Sequence, residues 1–402
     1  MARCLRSIAV ALLFLSASSA NADPRAAPAT IKARQLIFGI ENVNARTGEV
    51  DRDKVVFSWL TNATLAASLK GRVVLLDTFV HRAEEIPGRT PFVVEDLFAL
   101  KPAALFLGHG HGDHADNAAF LSSRLQIPVF ASEETCIDIA VDAQKLFAAG
   151  TIPNAQLDCR IVTAKGSTPG DPRQTTKIDV LEPIASITAF RHLHSGTSYP
   201  ETNFSITPVN NEADPRDAFM YPAGTAHSYK TAGGPGGPVS IYFHFVVRGD
   251  NRFTFAWHNT TGDLNNGCAI DRQPPNCWGA AVGKQVENAI RSLPPTDLEF
   301  GSMVSLGYRV NGMRDPIQYS AALHPKVYVP IHQTNAALPT SSLWFKIAYL
   351  AQLEQMKPPF PASERPEARW MVDPDDYLKP MVFDPKDARW SKPGGHEDEH
   401  DD

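Results

Sequence analysis

The stretch Leu105-Phe-Leu-Gly-His109-Gly-His111-Gly-Asp113-His114-Ala-Asp116-Asn117 extends an apolar run and gathers three imidazoles and two carboxylates into eight residues. Glycines at 108, 110 and 112 remove bulk between the polar side chains, which lets neighbouring donors converge on a small volume at the end of a strand. Neutral imidazole and carboxylate are ligands for zinc, iron or manganese, and a cluster without cysteine does not read as a thiolate-bound structural site. At this donor density the segment points to metal-dependent chemistry rather than to a solvated polar turn.

Three further segments continue the pattern. Upstream, Phe57-Ser-Trp-Leu-Thr-Asn-Ala-Thr-Leu65 is followed by a turn at Lys70-Gly71 and then by Arg72-Val-Val-Leu-Leu-Asp77-Thr-Phe79. Downstream lie Arg252-Phe-Thr-Phe-Ala-Trp-His-Asn-Thr-Thr-Gly262-Asp263 and Pro325-Lys-Val-Tyr-Val-Pro-Ile-His332. Residues His109, His111, Asp113 and His114 match a His-x-His-x-Asp-His signature, and with these three segments in order the chain resembles the metallo-β-lactamase superfamily over about residues 50 to 350. Trp59 to Ala63 and Asp113-His114-Ala-Asp116 look most like the branch of ascorbate-phosphate lactonase and of the phospholipase D acting on N-acyl phosphatidylethanolamine. The chain departs from that branch at Thr61-Asn62, where relatives commonly carry Gly-His, and at Leu264, where many carry threonine after Gly-Asp.

The resemblance implies an α/β fold, a four-layer αββα sandwich with loop insertions, and a centre of two divalent ions, zinc by default with iron or manganese also compatible. It implies His109 and His111 at the first ion, Asp113, His114 and His332 at the second, and Asp263 bridging both. The third ligand of the first ion is expected to be His194, which ends a strand and precedes Ser-Gly. His192, one pleat deeper, is its runner-up, and His227, in Gly224-Thr-Ala-His-Ser228, is a rival that otherwise serves as a loop histidine contacting substrate. Asp77 and Asp116 are placed to hydrogen-bond the outer nitrogens of ligand imidazoles. His258 and His244, alternating with apolar residues, read as buried histidines supporting the centre, and His81 and His324 read as structural.

Two such ions activate a bridging water as hydroxide without a serine or cysteine nucleophile. Asp113 is then the catalytic carboxylate that orients the water, while His227, Tyr229 or a second bound water protonates the leaving group. The leading expectation is hydrolysis of a lactone or other carboxylic ester in a small-molecule substrate. Phosphodiester cleavage and β-lactam opening are the alternatives.

Residues 1–22 read as a signal peptide: Arg3 and Arg6 precede an apolar core from Ile8 to Ser16, and Ala20-Asn21-Ala22 is a small-residue cleavage site. That predicts a periplasmic or secreted protein beginning at Asp23, with no integral membrane segment thereafter. Cys136, Cys159, Cys268 and Cys277 remain, allowing three pairings. Pairing Cys136 with Cys159 and Cys268 with Cys277 closes two local loops and is the expected arrangement in an oxidising compartment. Without Arg3 and Arg6, 36 basic residues face 44 acidic ones. An acidic body is the wrong sign for a nucleic-acid partner.

Periodicity predicts one hydrolase domain over 23–392. Helices are expected over Asn117 to Leu125, Ser132 to Ala149, Val282 to Arg291 and Leu343 to Met356, with strands over Ile127 to Ala131, Ile178 to Leu181 and Ile184 to Phe190. A hairpin is expected from Val239 to Val247 and Arg252 to Trp257. An insertion without clear period spans about 197–238, a proline-rich wrap spans 358–392, and 393–402 is a disordered acidic tail. The tail's His396 and His400 also fit a second class of function, a metal-scavenging protein, although such ends are usually just solvated.

Overall fold

Apolar runs that alternate with period two build two mixed sheets in the computed structural model, which describes residues 26–80, 93–194, 206–208, 229–231, 234, 236–248, 252–267, 278–303, 313–332, 339–356, 360–370 and 378–390. The first sheet holds β1 (Val55–Thr61), β2 (Thr64–Leu69), β3 (Arg72–Leu76), β4 (Leu105–Phe106), β5 (Val129–Ser132) and β6 (Cys159–Thr163). Strands β1 to β3 are antiparallel, and β3 to β6 run parallel. The second sheet begins with β7 (Thr176–Ile178) and β8 (Ala185–His192). A separate two-stranded ribbon, β9 (Ile206–Pro208) with β10 (Tyr229–Thr231), precedes its hairpin β11 (Ser240–Val247) and β12 (Phe253–His258). The parallel strands β13 (Leu298–Ser302), β14 (Val327–Ile331) and β15 (Glu367–Ala368) complete it, and β16 (Met381–Phe383) returns to pair with β1 in the first sheet. Each sheet is thus antiparallel in one half and parallel in the other.

The two sheets meet face to face through aromatic rings. Phe57 packs edge-on against Phe255 at 4.9 Å and lies 4.8 Å from Phe300, and Phe106 meets Phe243 and Phe245 at 5.5 and 5.3 Å. Phe57 is wholly buried, so its truncation to alanine costs about 3–5 kcal/mol. Along β11 the odd residues Ile241, Phe243, Phe245 and Val247 face this shared core, whereas Tyr242 belongs to the cluster under the helices.

Helices close both outer faces. Over the first sheet lie α1 (Pro28–Phe38), α2 (Val94–Ala99), the short α3 (Gly112–Ala115), α4 (Ala118–Leu125) and α5 (Glu133–Ala148). Over the second lie α6 (Ala280–Arg291), α7 (Arg314–Leu323) and α8 (Pro339–Gln355). Helix α5 begins where expected because Ser132 accepts a hydrogen bond from the Thr135 amide and Glu133 and Glu134 occupy the first turn. The architecture is the αββα sandwich expected from the sequence.

Three local expectations change. The strand expected at 178–181 lies earlier, at 176–178, because residues 179–184 turn the chain into β8. The C-terminal wrap supplies an edge strand to each sheet and buries Phe383 and Trp390. Helix α7 was not read from the sequence at all. Cys136 and Cys159 are bonded, whereas Cys268, Cys277, residues 1–22, most of 197–238 and the 393–402 tail lie outside the described residues. Among the described residues no helix is long and apolar enough to cross a membrane.

Candidate metal centre

The chemistry-bearing residues gather where strands of both sheets end. Asp77 follows β3, the His109 to His114 loop follows β4, His194 stands two residues beyond β8, Asn259 follows β12 and His332 follows β14. Carboxyl ends of parallel strands are the usual place for a site in such sheets, since loops there are free to vary over a rigid base. Crowding explains one glycine: a Cβ on Gly108 would fall 2.1 Å from the Asn259 amide nitrogen.

Two groups of donor atoms converge. In the first, His109 Nε2 is 3.1 Å from His111 Nδ1 and 3.3 Å from His194 Nε2. In the second, His114 Nε2 is 2.9 Å from His332 Nε2, and Asp113 Oδ2 lies 3.5 Å from the former and 3.4 Å from the latter. The atoms of His109, His111 and His194 lie within 4.8 Å of one another, as do those of His109, Asp113 and His114. His109 belongs to both of these three-residue clusters, so the two groups are adjacent.

Outer contacts set the tautomers. His109 Nδ1 faces Asn259 Oδ1 at 2.8 Å, and His114 Nδ1 faces Asp77 Oδ2 at 2.6 Å. Each Nδ1 therefore carries the proton and donates it outward, which turns the Nε2 lone pair of both rings inward. Lone pairs at about 3 Å repel unless a cation or proton lies between them. The donor set thus fits divalent metal ions. Asp77 is itself fixed, accepting from the Gly108 amide at 2.9 Å and from Asn259 Nδ2 at 2.8 Å.

Electrostatics agree with that fit. Burial, reinforced by the nearby histidines, holds His109 well below the ordinary imidazole value, so it is a neutral ligand. Burial opposes ionisation of Asp113, but His114, His332 and His111 outweigh it and keep the carboxyl well below its usual range. For His114, burial is outweighed by Asp113 and Asp77, which raise its pKa. Positive charge is favoured at the point where His114 and Asp113 meet.

The hairpin between β1 and β2 braces the second group. Asn62 donates from Nδ2 to Asp113 Oδ2 at 3.0 Å and to the Asp113 carbonyl at 2.9 Å, and its own carbonyl accepts from the His332 amide at 2.8 Å and from Trp59 Nε1 at 2.7 Å. Asn62, Asp77, Asn117 and His332 all adopt left-handed backbone, with φ of 46°, 58°, 71° and 65°. Such residues cost on the order of 1 kcal/mol each and persist where the surroundings over-determine them. Asn62, Asn259 and the left-handed conformers were not picked out as site features from the sequence. The only hint was Asn62's departure from the commoner Gly-His.

Asp263 stands outside both groups of donors. Its Oδ1 accepts from the Asn265 amide at 2.9 Å and from Gln318 Nε2 at 3.2 Å, and its Oδ2 accepts from Asn266 Nδ2 at 2.6 Å with Arg314 3.5 Å away. Helix α7 therefore grips the Gly262 to Leu264 loop, since Gln318 also accepts from the Leu264 amide at 2.7 Å. One residue on, the Tyr319 hydroxyl meets His192 Nδ1 at 3.1 Å and accepts from the Gly262 and Leu193 amides.

The remaining expected residues fall as follows. Asp116 is buried just beyond α3. His192 is held within the fold by Tyr319. His258 lies beneath the centre, 2.9 Å from Glu299 Oε1 and stacked on Tyr242. His244 is buried against Thr296, and His324 pairs with Glu364 at the surface. His227 and His81 lie outside the described residues, as does the Tyr229 side chain.

No family model matches the chain, and no curated protein matches it. Among solved structures it is similar to a metallo hydrolase from the archaeon Ignicoccus hospitalis, 14% identical over 82% of this chain and 98% of that one, with a TM-score of 0.46. It is also similar to a metallo-β-lactamase fold protein from Bacillus subtilis, 9% identical over 82% and 99%, TM-score 0.40. A third is an isothiocyanate hydrolase from Delia radicum gut bacteria, 13% identical over 82% and 99%, TM-score 0.39. At such identities none of their activities transfers to this chain.

Proposed function

We propose that the chain is an exported two-metal hydrolase of the metallo-β-lactamase kind, acting on a lactone or other carboxylic ester of a small molecule. The observation that carries this reading is the inward convergence of the His109 and His114 lone pairs, each enforced by an outer acceptor, upon His111, His194, His332 and Asp113. In the proposal His109, His111 and His194 hold one ion and Asp113, His114 and His332 the other. Asp263, now held by Gln318 and Asn266, would be the further carboxylate donor to the pair if released from them. Two divalent ions would supply a hydroxide nucleophile at neutral pH and neutralise charge developing on the attacked oxygen.

The chain's own groups supply the rest. Asp113, whose side chain is 46% exposed although it touches two buried or half-buried imidazoles, is the open carboxylate and orients the attacking water. Asn62 keeps that carboxylate in one rotamer. His227 is the proposed proton donor to the leaving group. Export is supported by the leader-like residues 1–22 and by the Cys136–Cys159 bond.

Metal content by mass spectrometry of wild type and of Asp113→Asn and Asp263→Asn, with turnover of lactones, phosphodiesters and β-lactams on the same samples, tests the reading. About two equivalents in wild type, fewer in each folded variant, and ester turnover that falls with them is the expected result. Full activity in either variant overturns the mechanism. Turnover of a phosphodiester alone overturns the substrate class.

A further inference from the structure

A second polar feature lies on the helix-covered face of the second sheet, away from the metal ligands. Two adjoining cavities, about 550 and 470 Å³, share Lys177, Thr188 and Pro294 and together form one groove between the β7 edge and the C-terminal end of α6. Thr188 lies on β8 six residues before His194, which stands two residues past that strand's end, about 20 Å away at extended spacing. The groove is therefore separate from the proposed centre.

Charge in this groove is segregated. Among the described residues its walls carry Lys177, Lys284, Arg248 and Arg252 and no carboxylate, in a chain whose acids outnumber its bases by 44 to 38. Glu287 offsets Lys284 at 2.9 Å and Glu182 offsets Arg248 at 2.8 Å, both from outside the groove lining. Lys177 and Arg252 have no carboxylate partner among the described residues. Lys177 instead donates to Thr188 Oγ1 at 2.6 Å, a neutral acceptor that leaves its charge uncompensated.

The floor is polar too. Register places Lys177, Thr188 and His244 side by side across β7, β8 and β11. His244, on β11 opposite Thr188 but not itself lining either cavity, is fully buried and bonded through Nε2 to Thr296 at 3.0 Å, and its buried Nδ1 has no partner among the described residues. A sheet face that only had to pack under a helix would carry apolar side chains at these positions, as Phe190 does next along β8.

We propose that this groove binds a small molecule bearing two phosphoryl groups, one in each lobe, with Lys177 at the junction. Lys284 lines the first lobe, and Arg248 and Arg252 line the second beside Ser186. Guanidinium and ammonium groups with hydroxyl donors are the usual recognition chemistry for phosphoryl oxygens.

Fructose 1,6-bisphosphate is the probe, titrated calorimetrically into the metal-loaded full chain at low and moderate salt, with inorganic phosphate as the single-anion comparison. Expected are saturable binding that weakens with salt, weaker binding of phosphate, and a loss of about tenfold or more in the Lys177→Gln, Arg252→Gln double variant. Lys177→Gln still carries an amide donor on the Thr188 side, and circular dichroism of the double variant checks that it folds. Asp113→Asn should bind as wild type does. Absence of binding at millimolar probe, an unchanged double variant, or binding lost in Asp113→Asn would each overturn the site, the last by placing the ligand at the metal centre.

Discussion

Asp77 Oδ2 lies 2.6 Å from His114 Nδ1, with both side chains fully excluded from solvent. An asparagine at 77 keeps its carbonyl for the Gly108 amide and turns an NH₂ toward His114. Nδ1 must then accept, the proton moves to Nε2, and the lone pair no longer faces Asp113 and His332. Asp77→Asn should weaken metal binding by about 10- to 100-fold with unchanged circular dichroism. Competition against a chromophoric chelator measures this, and wild-type affinity in the variant would remove Asp77 from the mechanism.

Tyr319 joins two segments that the sequence keeps 69 residues apart, Leu193 beside His194 and Gly262 beside Asp263. Burial, the largest influence on its hydroxyl, pushes the pKa up despite those two amide donors, so it stays protonated and donates to His192 Nδ1. Tyr319→Phe leaves two buried amides without an acceptor, at about 1–3 kcal/mol each. A lower unfolding midpoint is expected, with faster hydrogen exchange at Leu193 and Gly262 and weaker metal binding than in wild type. Unchanged exchange at both amides would remove Tyr319 as the brace between the two segments.

Much of this centre was legible because its donors crowd one short loop. His109, His111, Asp113 and His114 need no long-range information, alternation located the strand that leads to His194, and the family resemblance pointed to the strands that deliver Asp77 and His332. What escaped was what other elements bring across space. Asn259 is one polar residue in the run His258-Asn-Thr-Thr261, and only the fold sets it between His109 and Asp77. Helix α7 was not read from the sequence although its apolar period is no weaker than that of α4 or α5, and three of its side chains hold the loop carrying Asp263. Motif order identified Asp263, but the direction of its carboxylate depends on that helix.

The Cys136–Cys159 bond ties the first turn of α5 to the edge strand β6 and closes a loop of sequence separation 23. Loop-closure entropy at that length is worth about 3 kcal/mol. The Cys136→Ser, Cys159→Ser double variant should lose about that much in denaturant unfolding, and reductant should bring wild type to the same midpoint. Because the bond joins α5 to the edge strand β6 and neither element carries a proposed metal ligand, turnover at low temperature should be retained. Equal stability of oxidised and reduced protein would mean that the unfolded chain gains nothing from its release.

Helix α5 also carries a buried carboxyl that makes stability depend on pH. Asp138 is wholly buried and accepts from the Gly236 amide at 2.8 Å. Burial raises it to about 8 from an ordinary 3.8, against that amide and with help from Asp142 and Glu134. Below the lower value both folded and unfolded chains are protonated, and the group favours neither. Between the two values the unfolded chain has released the proton while the folded one keeps it. Stability therefore falls as pH rises through that window, by as much as about 1.4 kcal/mol per unit and by a few kcal/mol in all. Asp138→Asn is neutral throughout and still accepts from Gly236, so its melting temperature should exceed that of wild type at pH 8 and match it near pH 4. The segment held by Asp138 also accepts from the Gly110 amide at 3.0 Å, next to His111, so wild type should lose metal sooner than the variant as pH rises. Parallel melting curves for the two proteins from pH 4 to 8 would show that Asp138 titrates as an ordinary carboxyl.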